Sequence, residues 1–205
     1  MPDIPSLLLS GTLAVAIAVM SHSSIAQAQA EAPIDIVAWF ARAAAERGAG
    51  LARKTKPVDA RPARPGEIVV TIIKGEGKET QSPPAAAGDW VVRNRCPETG
   101  NEEILVRAAT FAQRYDGPIG GPIGVPTGAA DAEGWLTWRP RGNPMRFVAV
   151  GDSDGAFRFT APWGEAMVAR PGDLIVQNPD SAKDTYRIAR AAFACTYEVM
   201  AEPRR

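Results

Sequence analysis

An α+β protein built from two diverged copies of a small strand-strand-helix unit, with a helix ahead of them, is the fold this sequence predicts. Three observations predict it. GDWVVRN, Gly88 to Asn94, returns as GDLIVQN, Gly172 to Asn178; FAQRYD, Phe111 to Asp116, returns as FACTYE, Phe193 to Glu198; and short β-branched runs alternate with short helical ones in both stretches. With the intervening loop of the first copy two residues longer, Asp89 aligns with Asp173, Asn94 with Asn178, Phe111 with Phe193 and Tyr115 with Tyr197.

Residues 1–30 read as a secretory signal peptide, because the apolar run Ser6 to Met20 leads into AQAQA and small residues permit cleavage after Ala28 or Ala30. Its n-region carries no Lys or Arg. The run is short of the ~20 apolar residues a span requires, and no cysteine follows to take a lipid. The expected localisation is therefore periplasmic or secreted, with no stable membrane span after cleavage.

Residues 31–66 are expected to hold an amphipathic helix and a linker. In PIDIVAWFARAAAERGAG the residues Ile36, Trp39, Phe40 and Ala43 recur at helical spacing, and glycines close the segment. KTKPVDARPARPG, residues 54–66, is rich in Pro, Lys and Arg and reads as a solvated tether. The first repeat unit is assigned to 67–117, with strands at Glu67–Lys74, Trp90–Arg93 and Glu102–Arg107 and a helix over AATFAQRY. Residues 118–134, in a stretch from Asp116 to Gly134 that contains GPIG twice in tandem, are assigned as a linker. The second unit, 135–205, repeats the order with strands at Arg146–Val150, Ala156–Thr160 and Tyr186–Arg190, followed by a helix over AAFACTYEVM. In both GD motifs the glycine suits positive φ, and the aspartate can cap nearby amides. Trp90 and Val92 in one copy, and Leu174 and Val176 in the other, fall on the face toward the helix. Phe111/Tyr115 and Phe193/Tyr197 are i,i+4 pairs that suit core packing.

PGDLIV and FACTYE together resemble the small PGDYLV-type modules of uncharacterised bacterial and phage-associated proteins, with AGDWVV and FAQRYD as a looser copy lacking the proline. The resemblance implies a compact α+β unit and no transferable activity.

Composition excludes much chemistry. Loss of the signal peptide removes Asp3 and His22, the only histidine, and leaves 23 basic side chains against one fewer acidic. Such a balance gives no footprint for nucleic acid. Without histidine there is no Ser-His-Asp or Cys-His nucleophile pair and no His-ligated metal. No cofactor or metal site is expected. Cys96 and Cys195 are expected to form a disulfide in an oxidising compartment. GDSDG fails as a calcium loop, since Ala156 and Trp163 would stand where oxygen ligands are needed, and KGEGKE lacks the ending of a phosphate loop. The tryptophans Trp135, Trp138 and Trp163 are the candidate ligand-binding residues. Trp135 and Trp138 are three apart, so they take opposite faces of a strand and one of them is expected at the surface. The leading function is non-enzymatic binding or assembly in the periplasm, with a glycan or a protein as ligand and the cleft between copies as its site. The alternative is a carboxylate-based enzyme acting on cell-wall glycan, with Glu165 as its candidate acid.

Overall fold

In the computed structural model, residues 32–122 and 129–204 are described; the expected signal peptide and part of the 118–134 segment lie outside them. The expected first helix, α1 (Ile36–Arg47), buries Ile36, Trp39, Phe40 and Ala43. The Asp35 carboxylate accepts from the amides of Val37 and Ala38 at 2.9 and 3.1 Å, satisfying donors that the first turn leaves unpaired. The Gly48 amide closes the other end on the Ala44 carbonyl.

The chain continues through β1 (Gly50–Lys54), β2 (Val58–Pro62), the hairpin β3 (Val70–Ile73) and β4 (Gly77–Gln81), β5 (Trp90–Asn94), β6 (Glu103–Val106), α2 (Ala108–Arg114) and β7 (Tyr115–Gly120). It then forms β8 (Leu136–Pro140), β9 (Pro144–Ala149), the hairpin β10 (Phe157–Thr160) and β11 (Ala166–Ala169), β12 (Leu174–Asn178), β13 (Ser181–Ile188), α3 (Arg190–Thr196) and β14 (Tyr197–Ala201). The class is α+β, and strands dominate it.

Two five-stranded sheets organise the chain, in the orders β6-β5-β2-β8-β7 and β13-β12-β9-β1-β14. Their named pairings are antiparallel. β1 runs almost directly into β2, and β8 into β9, yet the members of each couple lie in different sheets. Each sheet thus contains one strand from the opposite half of the sequence. The sheets consequently depart from the unit boundaries 67–117 and 135–205.

The segment expected as a Pro-rich tether is instead the central strand of the first sheet. Its prolines spare the ladder, since Pro57 precedes β2 and Pro62 ends it. Val58 and Ala60 are fully buried. The charges are paired: Asp59 meets Arg95 at 2.6 Å, and Arg61 grips Glu67 at 2.6 and 3.0 Å. The Arg61 contact is the main reason that the Glu67 carboxyl is held down at about 2. Local composition read as a linker because Arg95 is distant in sequence and Glu67 lies just past the segment.

Each sheet carries a short helix on one face. Val92 packs with Phe111 of α2, and Leu174 and Val176 with Phe193 of α3, the face that alternation predicts. On the opposite faces, Val91 joins Trp135 and Ile175 joins the residues of α1. Both GD turns take the expected form. Gly88 and Gly172 have φ of 87° and 93°, and the aspartates accept from the amides three residues earlier, Ala86 at 2.9 Å and Arg170 at 2.8 Å.

The helices are shorter than expected. α2 ends at Arg114 and α3 at Thr196, so Tyr115 and Tyr197 begin strands, and YEVMA is an edge strand, not the end of a helix. β14 pairs with β1, and β7 with β8. β1 comes from the far end of the chain and β8 from beyond the 118–134 segment, and both pairings outweigh local helical spacing. The pairings have matching registers: Tyr197 stands opposite Lys54, the last residue of β1, and Tyr115 opposite Pro140, the last residue of β8.

Candidate functional site

A cavity of about 580 Å³ is lined from both sheets and both short helices. Its tyrosines are positioned by the helix ends. Phe111 and Phe193 lie in the last turns, and the next strand turns Tyr115 and Tyr197 onto them, with ring centroids 5.0 and 5.1 Å apart. Tyr186, on β13, completes the set. The chain contains three tyrosines, and all three line this cavity.

Arg114, at the end of α2, reaches across to the other sheet. It donates to Asp184 at 2.6 Å and to the Tyr186 hydroxyl at 3.3 Å. Tyr186, then Asp184, hold its guanidinium charged more firmly than usual. Burial pushes the Tyr197 phenol well above its ordinary value, and Tyr186 and Tyr115 push in the same direction. The ring therefore stays a neutral donor in this setting.

Lys54 reaches the cavity from the end of β1 and donates to the Asn94 side-chain carbonyl at 2.5 Å and to the Tyr115 hydroxyl at 3.5 Å. Asn94 in turn donates to Glu102 at 2.7 Å, which fixes which end of the amide faces the lysine. Asn178, which the sequence aligns with Asn94, also lines the cavity and donates to Asp184 at 3.4 Å.

At one side of the cavity Arg187 donates to Asp173 at 2.8 and 3.0 Å, to Glu76 at 2.6 Å and to Glu79. Burial raises Glu79 above the usual carboxylate range, and the charge and hydrogen bonds of Arg187 oppose it. Glu165 lines the same cavity and accepts a hydrogen bond from Thr80.

The tryptophan trio is dispersed. Trp163 lines the cavity, is 43% exposed and tilts against Tyr186 with ring centroids 5.8 Å apart. Trp135 is buried at 1% exposure with the Arg93 guanidinium 4.2 Å over its ring, and Trp138 packs edge-on against Trp90 and Phe111. The expectation that one of the strand pair reaches the surface fails because both faces of the first sheet are covered. Residues on opposite faces each find a core.

Cys96, in the loop after β5, and Cys195, on α3, come together with Cα atoms 5.9 Å apart, inside the range a disulfide requires. The Glu98 carboxylate lies 3.3 Å from each sulfur. Sequence reasoning missed Lys54, Arg114 and Asp184, whose neighbours are assembled by strand pairing across the molecule. The signals that the sequence did carry for the site were the aligned pairs Asn94/Asn178 and Tyr115/Tyr197 and two of its named candidates, Trp163 and Glu165. No protein-family model, curated protein or solved structure matches the chain. No helix of the described residues is long and apolar enough to cross a membrane.

Proposed function

We propose that the chain is an exported, non-enzymatic binding or assembly protein of the periplasm, made of two diverged copies that exchange a strand, joined by a Cys96–Cys195 disulfide, and holding its ligand in the cavity between the sheets. The duplication rests on the aligned motifs and on backbone bonds that recur in equivalent places. The amide of Ala63 bonds the carbonyl of Asp89, and Val150 bonds Asp173, both at 2.8 Å. Thr55 bonds Thr196 and Arg141 bonds Arg114, at 3.1 and 2.9 Å. Kinship with PGDYLV-type modules belongs to the same proposal and rests on PGDLIV and FACTYE.

The observation that carries the binding reading is that each carboxylate lining the cavity is committed to a protein partner. Glu79 is held by Arg187, Asp184 by Arg114, Glu102 by Asn94 and Thr99, and Glu165 by Thr80. Glycan cleavage needs one carboxyl to protonate a leaving group and a second to act from the other side. Committed carboxylates suit a wall better than a reaction.

Mature protein equilibrated with a low-molecular-mass periplasmic extract, desalted and denatured is expected to release a small molecule detectable by mass spectrometry. Thr110→Trp, which places an indole in the cavity, is expected to carry none. An equal load on that variant contradicts the reading. So does release of new reducing ends from purified cell-wall glycan that Glu165→Gln abolishes.

A further inference from the structure

We infer that the cavity takes a small ring-bearing carboxylic acid whose carboxylate is anchored by Lys54; this rests on the cavity being the ligand site. Four cations line the wall, and three are neutralised: Arg107 by Asp89 at 2.5 Å, Arg114 by Asp184 at 2.6 Å and Arg187 by Asp173 at 2.8 Å. Lys54 differs. Among the described residues no carboxylate lies within ion-pair distance of its ammonium, and its two partners are the Asn94 side-chain carbonyl and the Tyr115 hydroxyl. The nearest acid in that chain of bonds, Glu102, is spent on Asn94 and Thr99.

An ammonium has three N–H donors, and the two contacts described leave one for a ligand. A carboxylate there would form a charge-assisted bond, the strongest kind such a site offers. The Tyr115 hydroxyl beside Lys54 adds a donor suited to the second oxygen. The rest of the wall suits a ring: the exposed Trp163 lines it beside Tyr186, with ring centroids 5.8 Å apart. The volume falls in the range of roughly 300–1,000 Å³ typical of small-molecule sites. A sugar acid and an aromatic acid share this chemistry of one carboxylate on one ring.

Calorimetric titration of the mature protein decides between them. The acids are glucuronate and 4-hydroxybenzoate, and glucuronamide and 4-hydroxybenzamide are their neutral counterparts. At least one acid is expected to bind, and its amide to bind roughly tenfold more weakly or worse. Lys54→Met should bring the acid down to the level of its amide, whereas Lys54→Arg should retain most of the difference. Which acid binds identifies the ring. Equal affinity for acid and amide, or binding of neither acid, overturns the inference. Should Lys54→Met fail to fold in a thermal melt, the acid–amide comparison on the wild-type protein still decides. Acids and amides binding alike, with Thr110→Trp abolishing both, would sink the carboxylate and leave the cavity standing. An acid that Thr110→Trp binds unchanged would sink the cavity as the site, and the inference with it.

Discussion

Mature protein carrying Cys96→Ala and Cys195→Ala is expected to melt on the order of 10 °C below the wild type. The two cysteines are 99 residues apart in sequence. Closing a loop of that size removes chain entropy from the unfolded state worth up to about 4.7 kcal/mol, less any cost in the native state. The bond would join the loop after β5, in the first sheet, to α3 on the second, and so hold the walls of the cavity against one another. Reduction of the wild-type protein should give a similar fall. Two titratable thiols per chain in denaturant, on protein purified without reductant, would reject the bond.

Arg187→Met is expected to cost roughly 3–5 kcal/mol, the price of leaving buried carboxylates without their cation. The side chain is 1% exposed and ties β13 to the β3–β4 hairpin through Glu76 and Glu79, while also holding Asp173 of the second GD turn. Its removal strands Asp173 and Glu79 in a setting where burial already raises Glu79. The sign of the pH dependence follows. A carboxyl whose folded pKa is raised is destabilising while ionised, so the deficit of the variant should shrink as the pH falls through the raised value and protonation removes the charge. Arg187→Lys keeps the charge without the planar fork and should fall between. Urea melts that place Arg187→Met within 1 kcal/mol of the wild type, or a deficit that grows on acidification, would contradict this.

The sequence carried its local signals well. α1 buries the four residues its spacing selects, and both GD turns have the backbone and caps that Gly-Asp implies. What it did not carry is non-local. β2 was hidden because its prolines fall just before and at the last residue of the strand, and its charges find partners in the folded protein. β7 and β14 were hidden because Tyr115 and Tyr197 continue the helical spacing of Phe111 and Phe193 while their backbones pair with β8 and β1. The exchange of β1 and β8 between sheets leaves no local mark at all. It is also what brings Lys54 to Asn94 and Tyr115, so the most informative cation of the cavity could not be singled out from its neighbours in KTKP. Of the tryptophans, Trp163 alone lines the cavity, because aromatic content identifies a candidate without saying which face of a covered sheet it will meet.

The central claim is that ligand binds in the cavity between the sheets, and selective isotope labelling of tyrosine rings reads it directly, because Tyr115, Tyr186 and Tyr197 are the chain's whole complement and all line that cavity. NMR spectra of the mature protein, labelled on tyrosine and tryptophan and titrated with glucuronate, 4-hydroxybenzoate and the small-molecule fraction of a periplasmic extract, are expected to show shifts in the tyrosine rings and in Trp163, with Trp39 and Trp135 unmoved. Unmoved tyrosines alongside shifts at Trp39 or Trp135, or no shift from any of the three additions, would contradict it.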